Sequence, residues 1–460
     1  MKLLVAVGVS LVAVTLAAAA DAALASGEVR AGGSTTRVVV DTDLGFDDVM
    51  ALSLLSSRRD VAIEAVTVAG TGLATCPHDA YRAARILRFL RRGAVPVACG
   101  RGLPLAGFNA FPVEWREAAG KLGAGLPPAR EAVSRLEAPD LIARAAGDSP
   151  TPVTLLTLGP LTNVAEALRR HPSIRTRIRR IVAMAGAVNV PGNIGPGHDR
   201  AEYNVWVDPV AAREVFASGI PVTLVPLDAT NQVPVEPLLV RQIERRSTRE
   251  ATIAKKALRA LAGPFPTFYW DPLAAAVVLD SGVVRTQRMH LSVVVSGDTR
   301  NGTLRPTRTA PILHIATSAR RTRFEQLLLR SLAHDPSATI PLPKPGFTLT
   351  ATQTGCSVRA HTSTAGRGWL HVVHTAAGDG IAALLELREG KTVQDLKALL
   401  RTPPRRNQPP PSWVRPVAFA RASRGNDGWV EYTATPGRYA AICAAAQGNP
   451  RVAPDTIELS

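Results

Sequence analysis

From Arg37 onward, apolar runs of four to eight residues alternate with longer stretches of helical periodicity, and this alternation is the tightest constraint on the fold. Arg37–Val40, Ala62–Val68, Val153–Thr157, Arg180–Met184 and Pro221–Val225 read as strands. Pro77–Arg92, Asn163–Arg170 and Pro209–Phe216 read as helices with one apolar face. Strands separated by helices imply βαβ crossovers, so the expected class is α/β: a mostly parallel central sheet with helices on both faces. The pattern persists to about Leu332. Four prolines then fall between Pro336 and Pro345, and Phe347–Thr354, His371–His374 and Trp429–Thr433 alternate as strands do. The expected organisation is therefore a catalytic-sized domain over 37–335, a linker over 336–345 and a small β-rich C-terminal domain over 346–460. Five prolines between Arg401 and Pro411 mark a loop inside that second domain.

The chain has 460 residues, above the ~100–200 of a typical domain, which fits two unequal domains. Lys2, an unbroken small-and-apolar run from Leu3 to Ala20, and Ala23-Leu24-Ala25 have the three-part layout of a secretory signal peptide over 1–25, followed by a linker over 26–36. A membrane anchor is the competing reading, but alanine-rich composition and the A-x-A site favour cleavage after Ala25. The expected location is secreted or cell envelope. The net charge of +17 raises a nucleic-acid reading. Its arginines, however, are scattered in short clusters such as Arg177, Arg179 and Arg180, with no zinc-finger or RNP-type motif beside them. Solvated faces or attraction to an anionic cell wall or envelope explain the charge better. Cys76, Cys99, Cys356 and Cys443 match neither a zinc site nor a C-x-x-C motif. Outside the cytosol they can form two disulfides, and Cys76–Cys99 with Cys356–Cys443 would keep each within one region, although spacing alone does not settle the pairing.

The chemistry is concentrated in Val38-Val39-Val40-Asp41-Thr42-Asp43-Leu44-Gly45-Phe46-Asp47-Asp48, a hydrophobic strand that ends in four carboxylates within eight residues. Such a cluster repels itself unless a cation neutralises it, and hard oxygen donors favour Ca²⁺ or Mg²⁺ over zinc. The C-terminal end of a parallel strand is also where open α/β sheets place their sites. Helix capping accounts for one or two of the four carboxylates and leaves the others unexplained. Phosphatases that use an aspartyl nucleophile and Mg²⁺ begin with a similar strand and D-x-D, so this cluster alone does not choose the reaction.

Further motifs narrow the choice. The Asp-Thr-Asp-x-Gly-x-Asp-Asp stretch, Leu158-Gly159-Pro160-Leu161-Thr162-Asn163, Pro191-Gly192-Asn193, Glu202-Tyr203-Asn204-Val205-Trp206-Val207-Asp208-Pro209 and Trp270-Asp271-Pro272-Leu273 resemble, in order, the inosine–uridine preferring nucleoside hydrolase family over about Arg37 to Leu332. The resemblance implies hydrolysis of a nucleoside N-glycosidic bond around one Ca²⁺ ion. It implies that Asp43, Asp48, Asp271 and the Leu158 carbonyl hold the ion, with Asp43 also the general base. Asp47, Asn193, Glu202 and Asn204 would grip the ribose and Met184 would line its pocket, with Asp41 supporting the motif from behind. Asn163 and Asp208 read more simply as helix caps. Positive charge grows on the sugar as the bond lengthens, and carboxylates and amide oxygens placed around it stabilise that state.

Two positions depart from the commoner pattern. Thr71 stands where an asparagine touching the sugar is usual, so it is the substrate contact in question. Trp270 precedes Asp271 where many members carry a histidine. An indole N–H is no general acid at working pH, so Trp270 resembles the purine-preferring, inosine–adenosine–guanosine branch, in which stacking helps the base leave. Phe108, Phe111 and Trp115 are candidates for the opposite face of the base. The expected function is release of base, chiefly purine, in nucleoside salvage. The alternative is a degenerate nucleoside-binding protein of the envelope. A homo-oligomer is open to such a chain. Thr433–Tyr439 resembles a strand-turn of small cupredoxin-like sandwiches without a copper set, so the C-terminal domain reads as a β-sandwich that binds a wall component or caps the enzyme.

Overall fold

Three consecutive β-branched residues, Val38-Val39-Val40, suit a strand buried on both faces, and all three are fully buried in the computed structural model. The structure describes residues 35–129, 132–195, 197–198, 200–261, 267–376, 379–401, 411–423, 425–445 and 450–460. The expected signal peptide and nearly all of the linker after it lie outside the described residues, as does most of the Arg401–Pro411 loop. The chain runs β1 (Thr36–Thr42), α1 (Phe46–Ser56), β2 (Val61–Val68), α2 (His78–Phe89), β3 (Val97–Cys99), α3 (Val113–Gly120), α4 (Ala138–Asp148), β4 (Val153–Thr157), α5 (Thr162–Arg170), β5 (Ile178–Ala183), α6 (Tyr203–Val207), α7 (Pro209–Phe216) and β6 (Val222–Leu224). It continues through α8 (Leu227–Thr230), α9 (Pro237–Glu244), α10 (Arg249–Leu261), α11 (Trp270–Leu279), β7 (Val284–Val293), β8 (Leu304–Pro306), β9 (Ile312–Ala319) and α12 (Arg321–Ala333).

These strands form one sheet in the order β3-β2-β1-β4-β5-β6-β9-β7-β8. β1–β4, β4–β5, β5–β6 and β6–β9 pair in parallel, while β7 runs antiparallel to both β9 and β8. The sheet is thus mostly parallel with an antiparallel edge. Successive strand residues face opposite ways. Val38 and Val40 pack into a core with α1, α2, α10, α11 and α12, whereas Val39 packs into a second core with α4, α5 and α7. Helices therefore cover both faces, as expected.

Beyond α12 come β10 (Phe347–Ala351), β11 (Cys356–Ala360), β12 (Gly366–His374), β13 (Asp379–Leu387), α13 (Val393–Arg401), β14 (Val414–Ser423), β15 (Gly428–Ala434), β16 (Gly437–Ala445), β17 (Arg451–Val452) and β18 (Ile457–Leu459). They form a sheet ordered β11-β10-β12-β15 and another ordered β14-β13-β16-β17, with β18 also on β16. Phe347, Leu349, Leu370 and Val372 of the first sheet share a core with Leu384, Tyr439 and Ala441 of the second, which is a β-sandwich. Both disulfides join the expected partners, Cys76 with Cys99 and Cys356 with Cys443.

The proline-rich stretch is neither helix nor strand, but it is not a free tether, because Ala338 is buried in the first core. Arg37–Ser460 is one compact unit. At the seam, Glu236 accepts hydrogen bonds from Arg321 (one at 3.1 Å) and from the Trp429 backbone N–H (3.3 Å), and Arg241 pairs with Glu431. Among the described residues no helix is long and apolar enough to cross a membrane.

Candidate active site

The chain leaves β1 through a turn that only a tight hydrogen-bond network can hold. Leu44 sits at φ 58°, in the left-handed region that costs a side-chain-bearing residue roughly 1–3 kcal/mol. Its N–H donates to Thr42 Oγ1 at 3.0 Å, and that hydroxyl donates to Asp48 Oδ1 at 2.5 Å. Asp48 also accepts from Asp43 N (3.1 Å) and Gly45 N (3.0 Å), so the first turn of α1 is folded back onto the strand end. Asp43 accepts from Gly45 N at 3.3 Å through Oδ1 and from Leu73 N at 3.1 Å through Oδ2.

Glycines make room for this. A Cβ on Gly72 would stand 2.2 Å from Asp43 Oδ2, and one on Gly159 would stand 2.9 Å from Asp43 Cβ. Asp41 lies deeper: Thr67 Oγ1 (2.6 Å) and Asn163 Nδ2 (2.8 Å) donate to its Oδ1, while its Oδ2 is buried without a partner. Burial lifts the Asp41 carboxyl to about 7 despite those two bonds.

Asp271, in the first turn of α11, completes the cluster. Ligand oxygens of Asp47, Asp48 and Asp271 lie within 4.8 Å of one another. Asp43 adjoins Asp48 but is not one of that trio, so the structure places Asp47, assigned to ribose by resemblance, among the candidate ion ligands. Burial, then the neighbouring Asp48 carboxylate, pushes Asp47 up to about 7. The same two causes hold Asp43 well above the usual carboxylate range, and burial with the charges of Asp47 and Asp48 does so for Asp271. No arginine, lysine or histidine pairs with these four among the described residues. A hard divalent cation fits such an oxygen-only, uncompensated set.

The wall opposite comes from α6 and the ends of β4 and β5. Asn204 donates Nδ2–H to the carbonyls of Leu158 and Met184, both at 3.0 Å, leaving its Oδ1 without a partner among the described residues. Leu158 is pinned in turn by its own N–H to Asp41 O at 2.8 Å. Glu202 caps α6: Oε1 accepts from Asn204 N (2.9 Å), and Oε2 from Gly186 N (2.7 Å) and Val205 N (3.3 Å). Burial raises its carboxyl against those bonds. Asn193 Oδ1 accepts the Tyr203 N–H at 3.1 Å, and Met184 is buried with its sulfur 3.5 Å from Asn204 Nδ2. Thr71 spends its hydroxyl on Thr162 Oγ1 (3.1 Å), which donates to Asp208 (2.8 Å).

Asp208 caps α7 through the Ala211 N–H (3.0 Å), as expected. Asn163 does not cap: it lies inside α5 and reaches to Asp41 instead. Asp228 was missed by sequence reasoning, yet it clamps the loop before Asn193 by accepting from Val188 N and from Asn189 N and Nδ2 at 2.8–2.9 Å. No motif surrounds it.

Aromatic rings gather around Tyr203 at the start of α6. Phe111 stacks on Tyr203 at 4.6 Å, and Trp115 and Trp206 flank Tyr203 at 5.3 and 6.1 Å. Phe108 is almost fully exposed and joins no ring contact among the described residues. Trp270 meets Phe268 edge-on at 5.6 Å, its Nε1 buried and unpaired.

The model of the inosine-uridine preferring nucleoside hydrolases matches residues 38–326, which contain every group above. The chain belongs to that family. This nucleoside hydrolase is 39% identical over 238 residues to the pyrimidine-specific ribonucleoside hydrolase RihA of Shewanella baltica, covering 52% of this chain and 72% of that one. It is 32% identical over 273 residues to RihA of Klebsiella pneumoniae, covering 58% and 86%. Among solved structures, the inosine-uridine preferring nucleoside hydrolase of Bacillus anthracis superposes with a TM-score of 0.59 at 25% identity, over 65% of this chain and 99% of that one. The purine-preferring ribonucleoside hydrolase from Gardnerella vaginalis shares the fold at a TM-score of 0.58 and 24% identity, over 65% and 98%. The nucleoside hydrolase is thus an enzyme that hydrolyses ribonucleoside N-glycosidic bonds, in a family that uses a divalent metal ion. The aspartyl-phosphatase and degenerate-binder readings fall away.

Proposed function

We propose that this nucleoside hydrolase is an exported, Ca²⁺-dependent enzyme that prefers purine ribonucleosides. The observation that carries the reading is the convergence of Asp47, Asp48 and Asp271 within 4.8 Å, with Asp43 against Asp48 and no basic partner in reach. Asp43, Asp48, Asp271 and the second lone pair of the Leu158 carbonyl would hold the ion. When bound, a calcium ion supplies the charge that orients a water and lowers its pKa.

Asp43 would be the base that accepts a proton from the attacking water, through Oδ1, the oxygen with the longer internal hydrogen bond. Asp47, Asn193, Asn204 through Oδ1, and Glu202 through Oε1, which has a single internal donor, hold the sugar hydroxyls. Met184 closes the pocket beneath the ribose. Because their oxygens surround the sugar before it reacts, they favour the cationic transition state over the neutral substrate. Thr71 acts mainly through Thr162, since its hydroxyl is already engaged there.

Purine preference rests on Trp270. With no imidazole before Asp271, the leaving base takes its proton from solvent and is assisted by stacking, which suits a flat two-ring base, and Tyr203 and Trp115 give the cleft further aromatic surface. The RihA names favour pyrimidines as the second reading. Export is supported by the Leu3–Ala20 run and by two disulfides, and it would place the enzyme where nucleosides arrive for salvage. A nucleoside panel assayed for released ribose, with and without chelator, tests the scheme. Purines cut faster and activity lost on chelation are expected. Faster uridine or cytidine cleavage would overturn the base preference, and full activity in metal-stripped protein would overturn the mechanism.

A further inference from the structure

Trp270 is carried on a short ribbon that the C-terminal sandwich holds from behind. Thr267–Tyr269 pairs with Val233–Val235: Val235 N donates to Thr267 O and Tyr269 N to Val233 O, both at 2.9 Å, with Pro234 bridged to Phe268. The next residue, Glu236, is the one that accepts the Trp429 backbone N–H of β15. On the other strand of the ribbon, the Phe268 ring is buried between two neighbours. One is Trp270, edge-on at 5.6 Å. The other is Arg421 of β14, whose guanidinium lies 5.9 Å from the ring centroid, within cation–π range. Arg241 on α9 stands 4.9 Å over the Trp369 ring of β12 and pairs with Glu431, which fixes the sandwich against the helix that follows the ribbon.

We propose that Arg421 is a positioning residue for hydrolysis: by covering the Phe268 ring it fixes Trp270 for contact with the leaving base, so the C-terminal sandwich belongs to the catalytic unit. This rests on the reading of Trp270 given above. The edge of Phe268 sets the angle of the indole, and Phe268 keeps that angle only while its outer face is packed. Removing the guanidinium opens that face to water and frees the ring to turn. Among the described residues Arg421 has no hydrogen bond or ion pair with the carboxylate cluster or α6, so its effect is expected through Phe268 and Trp270.

The test uses the full chain with Arg421→Ala and Arg421→Lys, assayed on inosine and on 4-nitrophenyl β-D-ribofuranoside, whose leaving group departs as a stable phenolate without help from stacking. Arg421→Ala is expected to lower kcat on inosine about fivefold, the size of one cation–π contact, with a smaller change in KM. Arg421→Lys restores most of the loss, and cleavage of the nitrophenyl riboside is unchanged in both. Equal losses on the two substrates, or no loss on inosine, would overturn the proposal. If the unmodified protein cleaves neither substrate, the catalytic reading fails separately. Near-UV circular dichroism then decides the positioning: Arg421→Ala must alter the tryptophan band that Trp270→Ala removes, and an unaltered band overturns it.

Discussion

Asn163 donates its side-chain N–H to Asp41 Oδ1 across 2.8 Å, joining the first turn of α5 to the end of β1, 122 residues earlier. Both groups are fully buried, so neither can turn to water if the other is removed. Asn163→Ala should therefore destabilise the protein by about 1–3 kcal/mol, the cost of stranding a buried acceptor. Urea unfolding followed by fluorescence measures this, and a loss below the resolution of the method would mean that Thr67 alone satisfies Asp41.

The carboxylate cluster sets a pH dependence with a definite sign. Asp41 and Asp47 rise from 3.8 to about 7 on folding, so the folded state binds more protons than the unfolded chain between those values. The stability these two groups contribute in the chelator-treated protein is fully present below about pH 4 and is lost as pH rises through 7, the reverse of an ordinary salt-bridged aspartate. Melting scans at pH 5 and pH 8 should show the lower midpoint at pH 8, and excess Ca²⁺ should raise the pH 8 value more.

Gly72→Ala tests whether Asp43 must stand where it does. The added methyl would lie 2.2 Å from Asp43 Oδ2, closer than any real contact, so the carboxylate must move. A displacement of about 1 Å at a catalytic group costs on the order of 100-fold in rate. Turnover should fall by that order while far-UV circular dichroism stays unchanged.

Trp270→Ala should depress kcat on purine nucleosides about tenfold, in line with the ~0.5–1.5 kcal/mol of an aromatic pair, as well as raise KM. Steady-state kinetics with inosine separate the two parameters. A change confined to KM would make Trp270 a holder of substrate only.

At the seam between the two folds, Arg321→Met would leave Glu236 buried without its cation. Removing one partner of a buried pair costs about 3–5 kcal/mol, whereas replacing both is often tolerated. The single variant should unfold at clearly lower urea, and adding Glu236→Gln should recover much of the difference.

The parallel half of the sheet was legible because Val38–Val40 and Val153–Thr157 are short runs rich in β-branched and apolar residues, as suits strands buried on both faces. The antiparallel edge was not: β7 buries its ends but exposes Arg285, Thr286, Gln287 and Arg288 in succession, which erases any two-residue period. β3 is only three residues long. At the site, Asp41 through Asp48 announce themselves as adjacent carboxylates, while Asp271 was reachable only through family resemblance. The reading of Asn163 as a cap failed because a helix-start asparagine has the same local signature whether it serves its own backbone or a distant carboxylate. Arg421 over Phe268 left no trace in the sequence, since a single cation–ring contact across 153 residues has no period and no motif.

The Cys76–Cys99 bond has a consequence for how the enzyme is made. It ties the segment after β2 to the end of β3, and Gly70, two residues before the glycine that abuts Asp43, lies against the Cys76 sulfur and the Arg101 carbonyl. The bond crosses between two neighbouring parallel strands, so the segment beside Asp43 is closed by oxidation. If the chain is exported, as proposed, the wall beside Asp43 would be braced only once the protein has reached an oxidising space.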